Sequence, residues 1–131
     1  MSRQRISSGG PWESVIRYSR AVRVGNFVAV SGTTSAEPGG TIYGGGDAYL
    51  QAHRCFEIIE AALAEAGATM ADVFRTRMYV THIDHWEQIG QAHGEFFRDI
   101  RPAATMVQVV RLIHPDILVE IEVDAIIGDG E

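Results

Sequence analysis

The sequence contains no lysine; all eleven of its basic residues are arginines. That absence excludes a lysine Schiff base, and with it pyridoxal-phosphate and class I aldolase chemistry. Cysteine is almost as scarce. The single Cys55 has no partner for an internal disulfide, and a zinc site of the CxxC type would lack its second thiolate. No apolar run approaches the ~20 residues that cross a bilayer, and the opening MSRQRISSGG has no apolar block of the secretory kind. The expected location is the cytoplasm, with no membrane partner. Positive charge is short as well: 11 basic against 17 acidic residues give a formal net charge of −6. The arginines are scattered from Arg3 to Arg111 rather than gathered into a stripe, so nucleic acid is not an expected partner.

What is present is an ordinary globular composition, 46% hydrophobic and 21% charged over 131 residues. A chain of this length buries roughly two thirds of its unfolded surface without a staple, and a single domain over 1–131 is expected. A short strand is predicted near residues 3–7. RAVRV and FVAVSG flank Gly25-Asn26, the turn signal of a tight hairpin. The glycine-rich TTSAEPGGTIYGGG predicts a mobile loop, and without a terminal Lys-Ser/Thr it is no nucleotide phosphate cradle. Asp47 is placed to cap a helix over 48–66, with Gly67 ending it. VFRTRMYVT reads as a strand. Asp84 and Glu87 form a capping-box pattern for a second helix, on which Trp86, Ile89, His93, Phe96 and Phe97 make the buried stripe; Arg101-Pro102 stops it. The remaining RPAATMVQVVRLIHPDILVEIEVDAII predicts two strands joined by a short turn. The fold class is therefore α+β, two helices covering one face of a mixed sheet.

The last strand carries the strongest chemical signal. By alternation, Glu120, Glu122 and Asp124 share one face with Leu118 and Ile126, while Ile117, Val119, Ile121, Val123, Ala125 and Ile127 share the other. Same-face neighbours stand about 7 Å apart, so three carboxylates in a row repel one another unless cations or water meet them. Arg75, Arg77 and Tyr79 alternate on one face of a neighbouring strand and can meet Glu122 or Asp124. That leaves Glu120 as the candidate general base, a carboxylate whose pKa is raised by burial and like charge. Ser31 and Gly32, at a strand end, offer a hydroxyl and backbone N–H groups for a carboxylate or developing negative charge. The histidines are weaker candidates. His82 and His85 show no HExxH-type spacing, and His93 falls on an apolar stripe, so no metal site is expected. Cys55 falls on the apolar face of its helix, where packing is the expected role.

Four stretches, RYSRAVRVGNFVAVSG, AALAEAGATMADVFRTRMYVT, GEFFRDIRPAAT and LVEIEVDAI, resemble in order and spacing the Rid family, the YjgF-type reactive intermediate deaminases also labelled L-PSP endoribonucleases. The resemblance implies a chorismate-mutase-like fold, a six-stranded sheet with two helices on one face, and a homotrimer whose sheets line a central barrel. It implies ligand pockets between subunits, no cofactor, and hydrolysis of 2-imino and 2-enamino acids to 2-keto acids and ammonia. In that mechanism an arginine grips the substrate carboxylate and a strand glutamate handles the attacking water. Carried onto this sequence, Tyr18 matches the pocket tyrosine, Ser31 and Gly32 the strand-end pair, and Glu120 the glutamate. Gly90 stands at the family's pocket asparagine and Met106 at its frequent cysteine. The anchor is missing: Ala104, in Pro102-Ala103-Ala104-Thr105, replaces the arginine. Arg17 and Arg77 are the substitutes on offer. Two functions follow as expectations, a hydrolase of small imines, enamines or related C–N compounds, and a trimeric protein that binds a small-molecule ligand without turning it over. Ribonuclease activity has neither a histidine pair nor a basic groove to support it.

Overall fold

The structure, a computed structural model, describes residues 2–128. Six strands form one mixed sheet: β1 (Arg3–Ile6), β2 (Ala21–Val24), β3 (Phe27–Thr33), β4 (Val73–Val80), β5 (Ala103–Gln108) and β6 (Val119–Ile126), in the order β1-β2-β3-β6-β4-β5. All neighbours are antiparallel except β4 and β5. Three helices accompany them, a single turn α1 (Glu13–Ile16), the long α2 (Ala48–Glu65) and α3 (Trp86–Phe97). The sequence predicts two; a four-residue helix is too short to show a period.

The α+β reading and the helix-covered face follow from periodicity. In β6 the row Val119, Ile121, Val123 and Ala125 is completely buried, while Glu120, Glu122 and Asp124 on the other face are half-buried. The buried row lies under α2, whose Ala52, Cys55, Phe56, Ile59 and Leu63 keep helical spacing and are likewise buried. Each such aliphatic or aromatic side chain contributes roughly 1.5–3 kcal/mol by leaving water. Asp47 caps α2 by accepting from the Leu50 N–H at 3.0 Å, and Gly67 follows the last turn with φ 88°, as expected. The Arg23 guanidinium donates to the Ala66 carbonyl at 2.7 Å and ties the helix end to the β2–β3 hairpin.

Three local expectations are corrected. β5 and β6 are not a hairpin: β4 lies between them, and residues 109–118 cross over rather than turn. The fully apolar inward row of β6 needs partners on both sides, whereas β5 is exposed at nearly every position and takes the edge. α3 opens after a one-turn 3-10 segment (Ile83–His85) and has no side-chain cap, so the Asp84/Glu87 box does not form; Trp86 is 57% exposed instead of buried. The glycine-rich loop is pinned, not free. Ser35 is buried and donates to the Tyr43 carbonyl, Ala36 bridges Ile42, and buried Gln51 donates to the Gly45 carbonyl. Gln51 also donates to the Asp116 carbonyl and accepts from the Leu118 N–H, so one amide fastens the loop and the crossover to α2. Among the described residues no helix is long and apolar enough to cross a membrane.

Candidate functional site

A bulge in β3 builds the floor of the site. Val30 pairs with Val123 and Thr33 with Ile121, so Ser31 and Gly32 together face the single Glu122. The extra residue changes the parity of the strand: Val28, Val30 and Thr33 are buried, while Ser31 and Gly32 both stay out of the core. Ser31 donates its hydroxyl to the Ser19 carbonyl at 2.6 Å. Gly32 has no side chain for a specific reason. A Cβ there would overlap Glu120 Oε2 and stand 2.9 Å from its Cδ, so the carboxylate lies where any other residue would be. Because the clash is with the far end of a flexible side chain, Gly32→Ala is expected to swing the Glu120 carboxylate aside at a cost of about 1 kcal/mol, measured by urea denaturation. In a Glu120→Ala background the same change should cost far less; an undiminished penalty would place the strain elsewhere.

The wall beside this floor is a buried ion pair. Arg20 and Glu13, with side chains 6% and 8% exposed, stand 3.6 Å apart. Arg20 donates to the Gly32 carbonyl (2.7 Å), Thr33 Oγ1 (3.1 Å), Tyr18 Oη (3.1 Å) and Ser8 Oγ (3.1 Å). Glu13 accepts from the Ser7 and Ser8 hydroxyls and from the Ser8 and Gly10 N–H groups. Burial pushes its carboxyl up, but those hydrogen bonds together outweigh it and hold the carboxyl below its ordinary range.

Of the three acids on β6, two are answered. Tyr79 donates to Glu122 Oε1 at 2.8 Å, and Arg77 reaches Asp124 Oδ2 at 3.1 Å and Glu122 Oε1 at 3.6 Å. The strand alternation puts these groups on one face, as the sequence suggests. Glu120 is the one left over, and among the described residues its carboxylate accepts no hydrogen bond. Burial raises its pKa; Arg20 works against that, Glu122 adds to it, and the outcome is a raised value. These groups border a crevice of about 550 Å³, the size of a small-metabolite site.

The structure thus brings Tyr18, Ser31, Gly32 and Glu120 to one crevice. The other candidates lie elsewhere on the protomer. Arg17 ends α1 in left-handed backbone (φ 72°) and does not border the crevice. Arg77 stands behind Glu122, engaged as described. Gly90 is on α3. Ala104 and Met106 lie on edge strand β5, beside Thr76 and Met78 on the helix-covered face, whereas Glu120 pairs with Tyr79 on the opposite face. Sequence reasoning missed Arg20 and Glu13, seven residues apart but in different elements, Glu13 opening α1 and Arg20 preceding β2, and it missed Trp12, Arg54 and Ile113 on the rim. Arg20 stands directly before β2, which carries a second arginine, Arg23, so its charge does not single it out in the sequence. His93 is a core histidine, bonded to Thr76 Oγ1 at 2.9 Å and packed against Phe56 and Phe97; burial lowers its pKa. Cys55 is buried and its thiol pushed well up, first by burial and then by the charge of Glu120. No three metal-ligating side chains converge among the described residues.

The sequence profile of a family described as Endoribonuclease L-PSP matches residues 11–127, nearly the whole chain. The chain belongs to this family, the Rid or YjgF family. The crystal structure of Rv2704 from Mycobacterium tuberculosis, a member of the YjgF/YER057c/UK114 family, is 48% identical, superposes with a TM-score of 0.87 and covers 96% of this chain and 100% of that one. An uncharacterized protein of Streptomyces coelicolor is 38% identical over 95% of this chain and 92% of its own length. The 3-aminoacrylate deaminase RutC of Acinetobacter baylyi is 31% identical over 92% of this chain and 95% of its own. The match takes in every element from α1 onward, and all of the crevice lining except Ser8 and Gly10 lies inside it.

Proposed function

We propose that this Rid-family protein hydrolyses the C=N bond of a small imine or enamine, with Glu120 as general base for the attacking water. The observation that carries this reading is the state of Glu120: a half-buried carboxylate with no hydrogen-bond partner, raised pKa and a crevice in front of it. Such a group takes a proton from water more readily than a solvated carboxylate does. Tyr18 Oη, already accepting from Arg20, keeps its own proton to donate. Kinship with a 3-aminoacrylate deaminase supports C–N hydrolysis as the reaction class.

The complete site is proposed to lie between subunits of a homotrimer. Ala104 and Met106 are separated from Glu120 by β4 and face the other side of the sheet, so one protomer does not join the two groups. A second copy docked at the exposed edge of β5 and the residues just past it, where Val107 is 43% and Val110 98% exposed, would join them. Ala104 also favours a second reading, a protein that binds a metabolite there without turnover.

The deciding measurement generates 2-iminobutanoate in situ and follows keto-acid release against semicarbazide trapping. Faster release in the presence of the protein supports hydrolysis. Binding of the product acid with no acceleration, for this and for uncarboxylated imines, would leave the binding reading in its place.

A further inference from the structure

Among imines, the charge of the crevice discriminates. Two arginines, Arg20 and Arg54, and three glutamates, Glu37, Glu120 and Glu122, border it. Both guanidiniums have carboxylate partners outside the crevice, but unequally: Arg20 is held by the buried Glu13 at 3.6 Å, whereas Arg54 meets Glu57 of its own helix at 3.3 Å in an exposed pair on the rim, away from the floor around Gly32 and Glu120. Arg20 spends its further donors on Gly32, Thr33, Tyr18 and Ser8. The two substitutes for the missing anchor do not help: Arg17 lies off the crevice, and Arg77 holds Glu122 and Asp124. Glu120 has no hydrogen-bond or salt-bridge partner among the described residues, and Arg20 acts on it only through space. An α-carboxylate brought to reacting distance of Glu120 would meet a second carboxylate and, on this protomer, no guanidinium without a carboxylate partner. A protonated imine would instead supply the cation that Glu120 lacks. Beside the hydroxyls of Ser31, Thr33 and Thr34, an apolar stretch of wall from Pro11, Trp12, Ile16, Ile58 and Ile113 suits a hydrocarbon body.

We propose that the crevice takes imines without an α-carboxylate, the iminium ions of alkyl or arylalkyl amines. The reaction step rests on the hydrolase reading above; the choice of ligand rests on the charge inventory. In the step, R₂C=NH₂⁺ + H₂O gives R₂C=O + NH₄⁺. Glu120 takes a proton from water as the new C–O bond forms and the C=N π pair moves to nitrogen. The protonated Glu120 then returns that proton to the carbinolamine nitrogen. The C–N bond breaks as the oxygen lone pair forms C=O, and the hydroxyl proton leaves with the ammonia as ammonium. No oxidant or reductant is needed.

The test uses matched probes differing only in the carboxylate. Phenethylamine and phenylalanine are titrated into the protein by calorimetry, and their imines, generated in situ by a monoamine oxidase and an L-amino-acid oxidase, are followed by semicarbazide competition. The expected result is a preference of at least about tenfold for the uncarboxylated member in binding and in imine hydrolysis, with the binding preference reduced in Glu120→Gln. Equal or tighter binding of phenylalanine, or faster hydrolysis of its imine, overturns the inference and leaves the hydrolase reading intact. Selective phenethylamine binding with neither imine hydrolysed supports the ligand choice and removes the hydrolase reading. Binding of neither probe overturns the ligand choice.

Discussion

Glu120→Gln is expected to lower imine hydrolysis by about 10²–10⁴-fold, the usual contribution of a positioned general base, while the protein stays folded. Glutamine matches the shape that Gly32 accommodates but takes no proton from water. The stability change has the opposite sign. In the wild type, the folded-state pKa of Glu120 is raised above its ordinary 4.5, so the native state holds the proton more tightly than the unfolded chain. That favourable difference is fully present below about pH 4.5 and is lost as pH rises through the folded value. The glutamine variant has no such loss, so its melting temperature relative to wild type should climb from pH 4 toward pH 7. Parallel melting curves across that range, or a variant with unaltered turnover, would show Glu120 solvated and idle.

Glu13→Ala should destabilise the fold by about 3–5 kcal/mol, the cost of leaving a buried charge without its partner. Arg20 is only 5% exposed, its other hydrogen-bond partners are neutral oxygens, and Glu120 acts on it only through space. The same change leaves the Ser7, Ser8 and Gly10 donors without their acceptor. Replacing both partners, Glu13→Leu with Arg20→Met, should recover much of the loss, because no charge then remains to be buried. Urea denaturation of the two variants against wild type measures this, and a single-variant cost below about 1 kcal/mol, the range of surface pairs, would mean that water reaches the pair. Acid should find the same weak point. The folded pKa of Glu13 is lowered, so its contribution is complete above the ordinary 4.5 and disappears as pH falls through the depressed folded value.

Much of the framework was legible in the residues themselves. Asp47 and Gly67 bracket α2, the alternation of β6 separates a buried row from an acidic one, and the Gly25-Asn26 turn closes the β2–β3 hairpin. Each is a local property, set within a few residues by backbone geometry or by the period of side-chain direction. Local reasoning failed where two answers are locally equivalent. Consecutive strands β5 and β6 read alike as a hairpin or as a crossover, and only competition for the centre of the sheet separates them. DHWE reads as a capping box until a 3-10 turn takes its place. A run rich in glycine reads as mobile until Gln51, just past it, fastens it to the distant crossover at Asp116 and Leu118.

The sequence by itself determined which residues carry charge at the site and on which face of which strand they stand, because period two along a strand is dictated by covalent geometry. It also singled out Glu120 by subtraction, once Arg77 and Tyr79 were matched to Glu122 and Asp124. Only the tertiary structure decided the ionic surroundings of that carboxylate. The bulge that turns Gly32 toward Glu120 joins segments far apart in the chain, and the Glu13–Arg20 pair that occupies the Arg20 guanidinium links the start of α1 to the residue before β2, a meeting that no single element's period predicts. Long-range electrostatics and close packing depend on distances through space, and those exist only after the chain has closed on itself.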